Sequence, residues 1–333
     1  MRVPGDKDIL LEVRNLRTWF YTDKGIVKAV DGIDFQIKRN QILGLVGESG
    51  CGKSVTSLSI TGLIPIPPGK VEGEILYNKD GRKINLAKLH PESKQMREIR
   101  GSEISMIFQE PLTALNPVFT IGNQLTEAIV AHQKIGKQKA LEKAIQLLKE
   151  VGIPLPEQRI KQYPHQFSGG MRQRAMIAMA LSCKPSLLIA DEPTTALDVT
   201  IQAQILRLMK KLQSEYGMSI LLITHDLGIV AKNADEVVVI YLGKVVEYAP
   251  TKEIFRQPLH PYVKALLNSI PSLKGKKKLE PIRGMVPSPL EDVWRDRCGF
   301  APRCDEAMDI CQRKQPPLSE PAENHQVRCW LYG

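Results

Sequence analysis

Residues 47–54 read Gly47-Glu48-Ser49-Gly50-Cys51-Gly52-Lys53-Ser54, the pattern G-x-x-x-x-G-K-[ST]. Each position suits one task. Gly47, Gly50 and Gly52 let the backbone turn tightly, so that successive N–H groups point at phosphate oxygens. Lys53 brings a point charge to the β- and γ-phosphates of a nucleotide, and the Ser54 hydroxyl can ligate Mg²⁺. The flanks agree with this reading. Gln41–Val46 is a short apolar run, as expected of a buried parallel strand. Val55–Ile60 continues as a helix whose N-terminus adds partial positive charge at the phosphates. The plain alternative is an ordinary glycine-rich turn, and Lys53 and Ser54 in register behind a strand argue against it.

A second constellation completes nucleotide chemistry. Leu187-Leu-Ile-Ala-Asp191-Glu192-Pro193 is an apolar strand ending in two carboxylates. Ligands of open α/β sheets bind at the carboxyl ends of strands. Asp191 is thus placed to hold the Mg²⁺ shell and Glu192 to polarise an attacking water as general base. Two adjacent carboxylates beside polyphosphate repel it unless a metal intervenes, which implies Mg²⁺. Further on, Phe167-Ser168-Gly169-Gly170-Met171 opens a run of strong helix formers. Ser168 is a good N-cap, and the two glycines let a phosphate approach the exposed N–H groups. A chain with two anion sites can use both on one nucleotide by dimerising head to tail.

With these motifs in place the sequence resembles an ATP-binding cassette (ABC) ATPase over roughly residues 9–255. Phe167–Met171 matches the family signature, with Phe167 and Met171 departing from its commonest wording. Gln109, in Met106-Ile-Phe-Gln-Glu-Pro111, matches the Q-loop. Ala196-Leu197-Asp198 matches the D-loop, and His225, in Leu222-Ile-Thr-His-Asp226, the switch histidine. Phe20 or Tyr21 matches the aromatic that stacks on adenine. The resemblance implies an α/β fold: a parallel sheet core, an antiparallel β subdomain and a helical subdomain. It implies two ATPs sandwiched between two such domains, with Ser54, Gln109 and Asp191 around Mg²⁺ and Val55 closing the phosphate loop. Ser168, Gly169, Gly170 and Asp198 would serve the partner's ATP.

Several phrases narrow the resemblance. Gly47-Glu-Ser-Gly, Gln109–Pro117, Glu192–Gln204 and His260-Pro-Tyr-Val-Lys-Ala-Leu-Leu267 are similar to those of dipeptide, oligopeptide and nickel importer ATPases, nearest the first of two paired dipeptide-permease subunits. That implies a heterodimer with a second ABC ATPase, two membrane permease subunits and an extracytoplasmic peptide-binding protein, at the cytoplasmic face of the cell membrane. The competing class is a soluble ABC ATPase acting in DNA repair or translation; nickel or another solute is the other alternative. His260-Pro-Tyr by itself reads as a helix start with Pro261 in its first turn.

The elements that must position these residues follow from hydrophobic patterning. Strands are predicted over Ile9–Val13, Val27–Val30, Ile33–Ile37, Gly73–Tyr77, Ile104–Phe108, Ser186–Ala190, Ser219–Thr224 and Glu236–Tyr241. A helical insert occupies residues 121–182. Within it Lys137–Lys149 places Leu141, Ile145 and Leu148 on one face. The domain limits expected are 1–258 for the ATPase, with a helical subdomain at about 118–182, and 259–333 for a C-terminal extension. A stretch near 271–290, with the basic cluster Lys274-Gly-Lys-Lys-Lys278, reads as linker.

Composition is that of a globular chain with a real core: 43% hydrophobic and 25% charged over 333 residues. A net charge of +10 permits nucleic acid or an anionic membrane surface, and equally a solvated basic surface. The absence of an aromatic-interleaved basic patch favours no nucleic acid. No run approaches the ~18 apolar residues of a membrane span, and Met1–Leu10 lacks a signal-peptide core. A soluble, cytoplasmic chain is expected, whose six cysteines stay reduced.

Four of those cysteines, Cys298, Cys304, Cys311 and Cys329, fall in a short C-terminal segment that needs a staple. Four thiolates suit zinc or an iron–sulfur cluster. Structural zinc favours C-x₂₋₄-C pairs, which are lacking, so a [4Fe–4S] cluster is expected, with Zn²⁺ and free or disulfide-bonded cysteines as alternatives. Cys51 and Cys183 read as plain small side chains.

Overall fold

Runs of Val, Ile and Leu five or six residues long become strands buried along their whole length. The computed structural model describes residues 8–110, 114–195, 197–269, 282–288, 290 and 296–333. The basic cluster Lys274–Lys278 and Ala196 lie outside the described residues. Contacts divide the chain into two units, one of residues 1–37, 42–88 and 222–333, the other of residues 38–41 and 89–221.

The first unit holds an antiparallel sheet in which β1 (Ile9–Thr22) lies between β2 (Gly25–Lys38) and β4 (Gly69–Lys79), with β5 (Arg82–Asn85) at the edge. Strand β2 runs unbroken through both predicted segments, Val27–Val30 and Ile33–Ile37. Its sequence alternates around the left-handed Gly32, so one strand reads as two. The same unit carries five strands side by side in the order β11 (Ser319–Ala322), β12 (His325–Val327), β10 (Lys244–Pro250), β9 (Glu236–Tyr241), β3 (Ile42–Val46). Strand β3 is parallel to β9, whereas β10 is antiparallel to β9 and to β12. All five residues of β3 are buried, as for a strand covered on both faces. Helices α1 (Lys53–Ile60), α8 (Leu227–Asn233), α9 (Thr251–Arg256) and α10 (Pro261–Asn268) complete it. Residues 296–333 belong to this unit, tied in by the β10–β12 pairing.

In the second unit β7 (Leu187–Asp191) and β6 (Ile104–Ile107) lie side by side and parallel, next to residues 219–221 of β8 (Ser219–Thr224), whose remaining residues are counted with the first unit. Its helices are α2 (Lys94–Ile99), α3 (Ile121–Gln133), α4 (Lys137–Glu150), α5 (Pro156–Arg159), α6 (Gly169–Ala180) and α7 (Val199–Tyr216). Helix α4 is where the apolar periodicity placed it, but its buried face is Ala140, Ala144, Leu147 and Leu148. Leu141 and Ile145 are only half-buried and line a groove with Thr126, Val130 and Ile160. The two small alanines bring the axis of α4 close to α3 and α6, which turns the larger side chains outward. Among the described residues no helix is long and apolar enough to cross a membrane.

Candidate active site

The loop after β3 keeps its shape because its glycines admit no side chain. A Cβ on Gly47 would stand 2.3 Å from the carbonyl oxygen of Ile240, and one on Gly52, whose φ is +100°, 2.2 Å from that of Ala29. Gly50 differs. Its φ is +80°, but an added Cβ meets no protein atom within 4 Å, so the space in front of it is open. Gly52 caps α1 without any side-chain acceptor, and the first turn holds no acidic residue. Helix N–H groups with no carboxylate supplied by the chain are open to an anion. Lys53 is buried, and its ammonium donates to the carbonyls of Gly47 at 2.8 Å and Glu48 at 2.9 Å. Ser49 and Gly50 are exposed, and Ser54 and Val55 half-buried. An open cradle, a lysine and a helix start fit a polyphosphate.

Two residues of the loop have other tasks. Cys51 is fully buried and its thiol pushed up by burial, in keeping with a small packing side chain. Glu48, counted with the phosphate-binding residues by its place in the motif, turns its carboxylate away to Arg303, 255 positions later, with contacts of 2.6 and 3.0 Å. Its link to the rest of the loop is its carbonyl, which accepts from Lys53. Near the end of β1, Phe20 is half-buried and Tyr21 is 47% exposed, so Tyr21 presents the more open ring. His225 follows β8, exposed, just before Asp226 caps α8 through Gly228 N–H and Ile229 N–H.

In the second unit Asp191 ends β7 in full burial, and Glu192 follows with φ +45°. A glutamate in this left-handed region costs about 1 kcal/mol and marks a position held by its surroundings. Those surroundings are two donors on one carboxylate oxygen: Gln109 Nε2 at 3.1 Å and Thr195 Oγ1 at 2.9 Å from Glu192 Oε2. Gln109 and Glu192, 83 positions apart, are thus brought together. Thr195 was missed in the sequence, although its place three residues after Glu192 is the available signal.

The second anion site lies at the start of α6. Ser168 is exposed, and its Oγ accepts from Met171 N–H at 3.3 Å, as an N-cap does. An added Cβ on Gly169 would be in ordinary contact with Leu197 at 3.6 Å, and one on Gly170 would press on the Ile201 methyl at 3.0 Å. Asp198 caps α7, its Oδ1 accepting from Thr200 N–H and Ile201 N–H at 3.0 Å. The segment after Glu192 and the start of α6 therefore form one surface.

Cys298, Cys304, Cys311 and Cys329 all line one cavity of about 10 Å³, room for about one water. None is in a disulfide, and burial pushes Cys298 and Cys304 up to about 11. Among the described residues no three His, Cys, Asp or Glu side chains converge to hold a metal ion. The expected metal site at these four thiols is therefore not supported among the described residues.

Comparison with known proteins agrees with this geometry. Residues 30–195 match the ABC transporter family, and residues 246–311 match the oligopeptide/dipeptide transporter C-terminal region. The chain is 53% identical to the oligopeptide transport ATP-binding protein AppD of Bacillus subtilis, over 97% of each chain. It is 52% identical to the dipeptide transport ATP-binding protein DppD of the same organism, covering 97% of this chain and 94% of that one. A dimeric post-hydrolysis structure of the ATP-binding cassette MJ0796, bound to ADP and Pi, superposes with a TM-score of 0.63 at 26% identity, covering 73% of this chain and 99% of that one. A glycine cradle, a strand-end carboxylate pair and a serine-capped helix, with near-complete alignment to such relatives, make this chain an ABC-type ATPase, a member of the ABC transporter family that carries the oligopeptide/dipeptide transporter C-terminal region.

Proposed function

We propose that this chain is the ATP-hydrolysing subunit of an importer of di- or oligopeptides. The observation that carries the reading is similarity along 97% of the chain to peptide-transport ATP-binding proteins. In this reading residues 47–55 hold the phosphates, with Lys53 on the β- and γ-phosphates, and Phe20 or Tyr21 stacks on adenine. Ser54, Gln109 and Asp191 would hold Mg²⁺, which would neutralise phosphate charge when bound. Glu192 accepts a proton from the water that attacks the γ-phosphorus, while the bond to the β-phosphate oxygen breaks to leave ADP and phosphate. Gln109 and Thr195 orient the Glu192 carboxylate. His225 contacts the γ-phosphate. Ser168, Gly169, Gly170 and Asp198 complete the site of a partner ATPase, a reading supported by the dimeric state of the MJ0796 cassette.

The assembly proposed is a heterodimer with a second ABC ATPase, on two permease subunits at the cytoplasmic face of the membrane, fed by an external peptide-binding protein. Residues 1–258 would form the ATPase domain, with a helical subdomain at about 118–182, and 259–333 the C-terminal extension. A [4Fe–4S] cluster on Cys298, Cys304, Cys311 and Cys329 is supported only by their sharing one cavity, and it enters no step above. Iron and sulfide analysis of anaerobically purified protein tests it, and a chain without either refutes it. The transport reading is tested by reconstituting the complex in vesicles with its binding protein. Di- or oligopeptide should stimulate ATP hydrolysis and accumulate inside. Stimulation by nickel and not by peptide would overturn it.

A further inference from the structure

We propose that the C-terminal region sets the shape of the phosphate loop through a latch on Glu48, with Arg303 as the positioning residue. The inference rests on the reading of residues 47–54 as the phosphate cradle. Its observations are independent of that reading.

Glu48 is held twice by residues more than 200 positions later. Its carboxylate takes both ends of the Arg303 guanidinium, Nη1 to Oε2 at 2.6 Å and Nη2 to Oε1 at 3.0 Å. Its backbone N–H donates to the Tyr262 hydroxyl at 2.9 Å. Arg303 is itself fixed. Its side chain is 4% exposed, Nε donates to the carbonyl of Arg283 at 2.8 Å, and Nη1 also meets the Tyr241 hydroxyl at 3.2 Å. The rings of Tyr241, Tyr262 and Phe300 close around this point, with centroids 4.7 to 5.3 Å apart. Tyr241 ends β9, and two residues on Gly243 N–H donates to the carbonyl of Cys51 at 3.1 Å. Both limbs of the loop are therefore gripped from this cluster.

The grip reaches the chemistry through one atom. The carbonyl of Glu48 is an acceptor of Lys53 Nζ. Rotation of the Glu48 peptide moves that acceptor, and with it the ammonium and the neighbouring N–H groups. A bidentate guanidinium on a carboxylate fixes orientation as well as distance, and lysine cannot reproduce it. The helix start His260-Pro261-Tyr262 thereby acquires a task beyond starting a helix: it delivers Tyr262 to the loop.

The test uses the full chain and a fluorescent ATP analogue, with thermal unfolding of each ligand-free variant measured alongside. Arg303→Lys, Arg303→Gln, Glu48→Gln and Tyr262→Phe should each weaken binding by about tenfold, the scale of a small misplacement of binding groups. The double variant Glu48→Gln/Arg303→Gln should be no weaker than the worse single one, because Arg303 acts through Glu48. A merely structural role would lower the unfolding temperature and leave the dissociation constant of the folded fraction unchanged. Arg303→Lys and Tyr262→Phe are the mild variants that keep the test decisive should Arg303→Gln fold poorly. Nucleotide binding abolished by Lys53→Ala but unchanged in Arg303→Lys and Tyr262→Phe would overturn the latch alone. Binding unaffected by Lys53→Ala would overturn the phosphate-loop reading and the latch with it.

Discussion

Replacing Glu192 by glutamine separates holding nucleotide from cleaving it. Both Gln109 Nε2 and Thr195 Oγ1 donate to Glu192 Oε2, at 3.1 and 2.9 Å. A glutamine in the same rotamer turns its carbonyl oxygen to those donors and places its NH₂ where Oε1 stood. The φ of +45° asks the same of glutamine as of glutamate. Both of these contacts are therefore conserved, and the proton acceptor is lost. General-base catalysis contributes about 10²- to 10⁴-fold. That is about 2.7–5.5 kcal/mol on the barrier at 1.36 kcal/mol per factor of ten.

The assay is phosphate release by the reconstituted complex, with binding of a fluorescent ATP analogue measured on the same preparation. Expected are a turnover at least about a hundredfold lower, a dissociation constant within about threefold of wild type, and an unfolding free energy within about 0.5 kcal/mol. Turnover within about threefold of wild type would remove Glu192 from the role of base. Lost binding as well would show that the Gln109–Glu192–Thr195 arrangement supports the cradle rather than the water.

Other expectations follow from the same geometry. Gly52→Ala sets a methyl against the Ala29 carbonyl at +100° in φ and should cost more than about 2 kcal/mol of stability by denaturant unfolding, whereas Gly50→Ala meets nothing and should cost about 1–2 kcal/mol while weakening nucleotide binding more. Equal effects in both assays would contradict this. Ser168→Ala removes a cap and should cost about 1 kcal/mol, with a larger loss of turnover in the assembled dimer than in binding by the isolated chain. His260 is fully buried; burial first, and the nearby Lys264 charge second, hold its pKa down at about 3. The unfolded chain takes up a proton below about pH 6.5 that the folded chain refuses, so this contribution to stability is intact above that pH and declines towards pH 3, by about 1.4 kcal/mol per pH unit. Urea unfolding at several pH values, compared with His260→Asn, checks it: a slope equal in both proteins would refute the assignment.

The chemistry was legible where it is local. Residues 47–55 announce a cradle because glycine freedom, lysine charge and helix start fall within nine consecutive positions. Strands β8 and β9 run over Ser219–Thr224 and Glu236–Tyr241, the bounds their apolar runs predict. Strand β10 went unread because Glu247 interrupts its apolar pattern. That carboxylate is nevertheless fully buried, since Leu259 N–H, His260 N–H and His325 Nε2 meet it at 3.0, 2.7 and 2.8 Å. A buried polar group satisfied by residues 12 to 78 positions later leaves no trace in its own window. Helix α7 shows Ile205, Met209 and Leu212 at helical spacing, but its first turns coincide with a motif and were read as such. The four cysteines, gathered in one short segment of sequence, line one cavity, and the metal expected from their number is not supported there.

Glu48 joins these cases into one argument. By position it belongs to the phosphate motif, and by side chain it belongs to the C-terminal region. A loop that must present several N–H groups to an anion can spend few of them on its own carbonyls, as Cys51 N–H does on Glu48 at 3.3 Å, so part of its rigidity has to come from elsewhere. Here it comes from the Ala29 and Ile240 carbonyls, which exclude side chains at Gly52 and Gly47, and from Tyr262 and Arg303, which hold Glu48. The first pair belongs to strands β2 and β9. The second pair exists only where a chain continues past β10, and the match of residues 246–311 to the oligopeptide/dipeptide transporter C-terminal region spans both Tyr262 and Arg303. The part of the chain that matches the oligopeptide/dipeptide transporter C-terminal region is therefore also a part that touches the phosphate loop, and removing it should alter nucleotide handling before it alters transport.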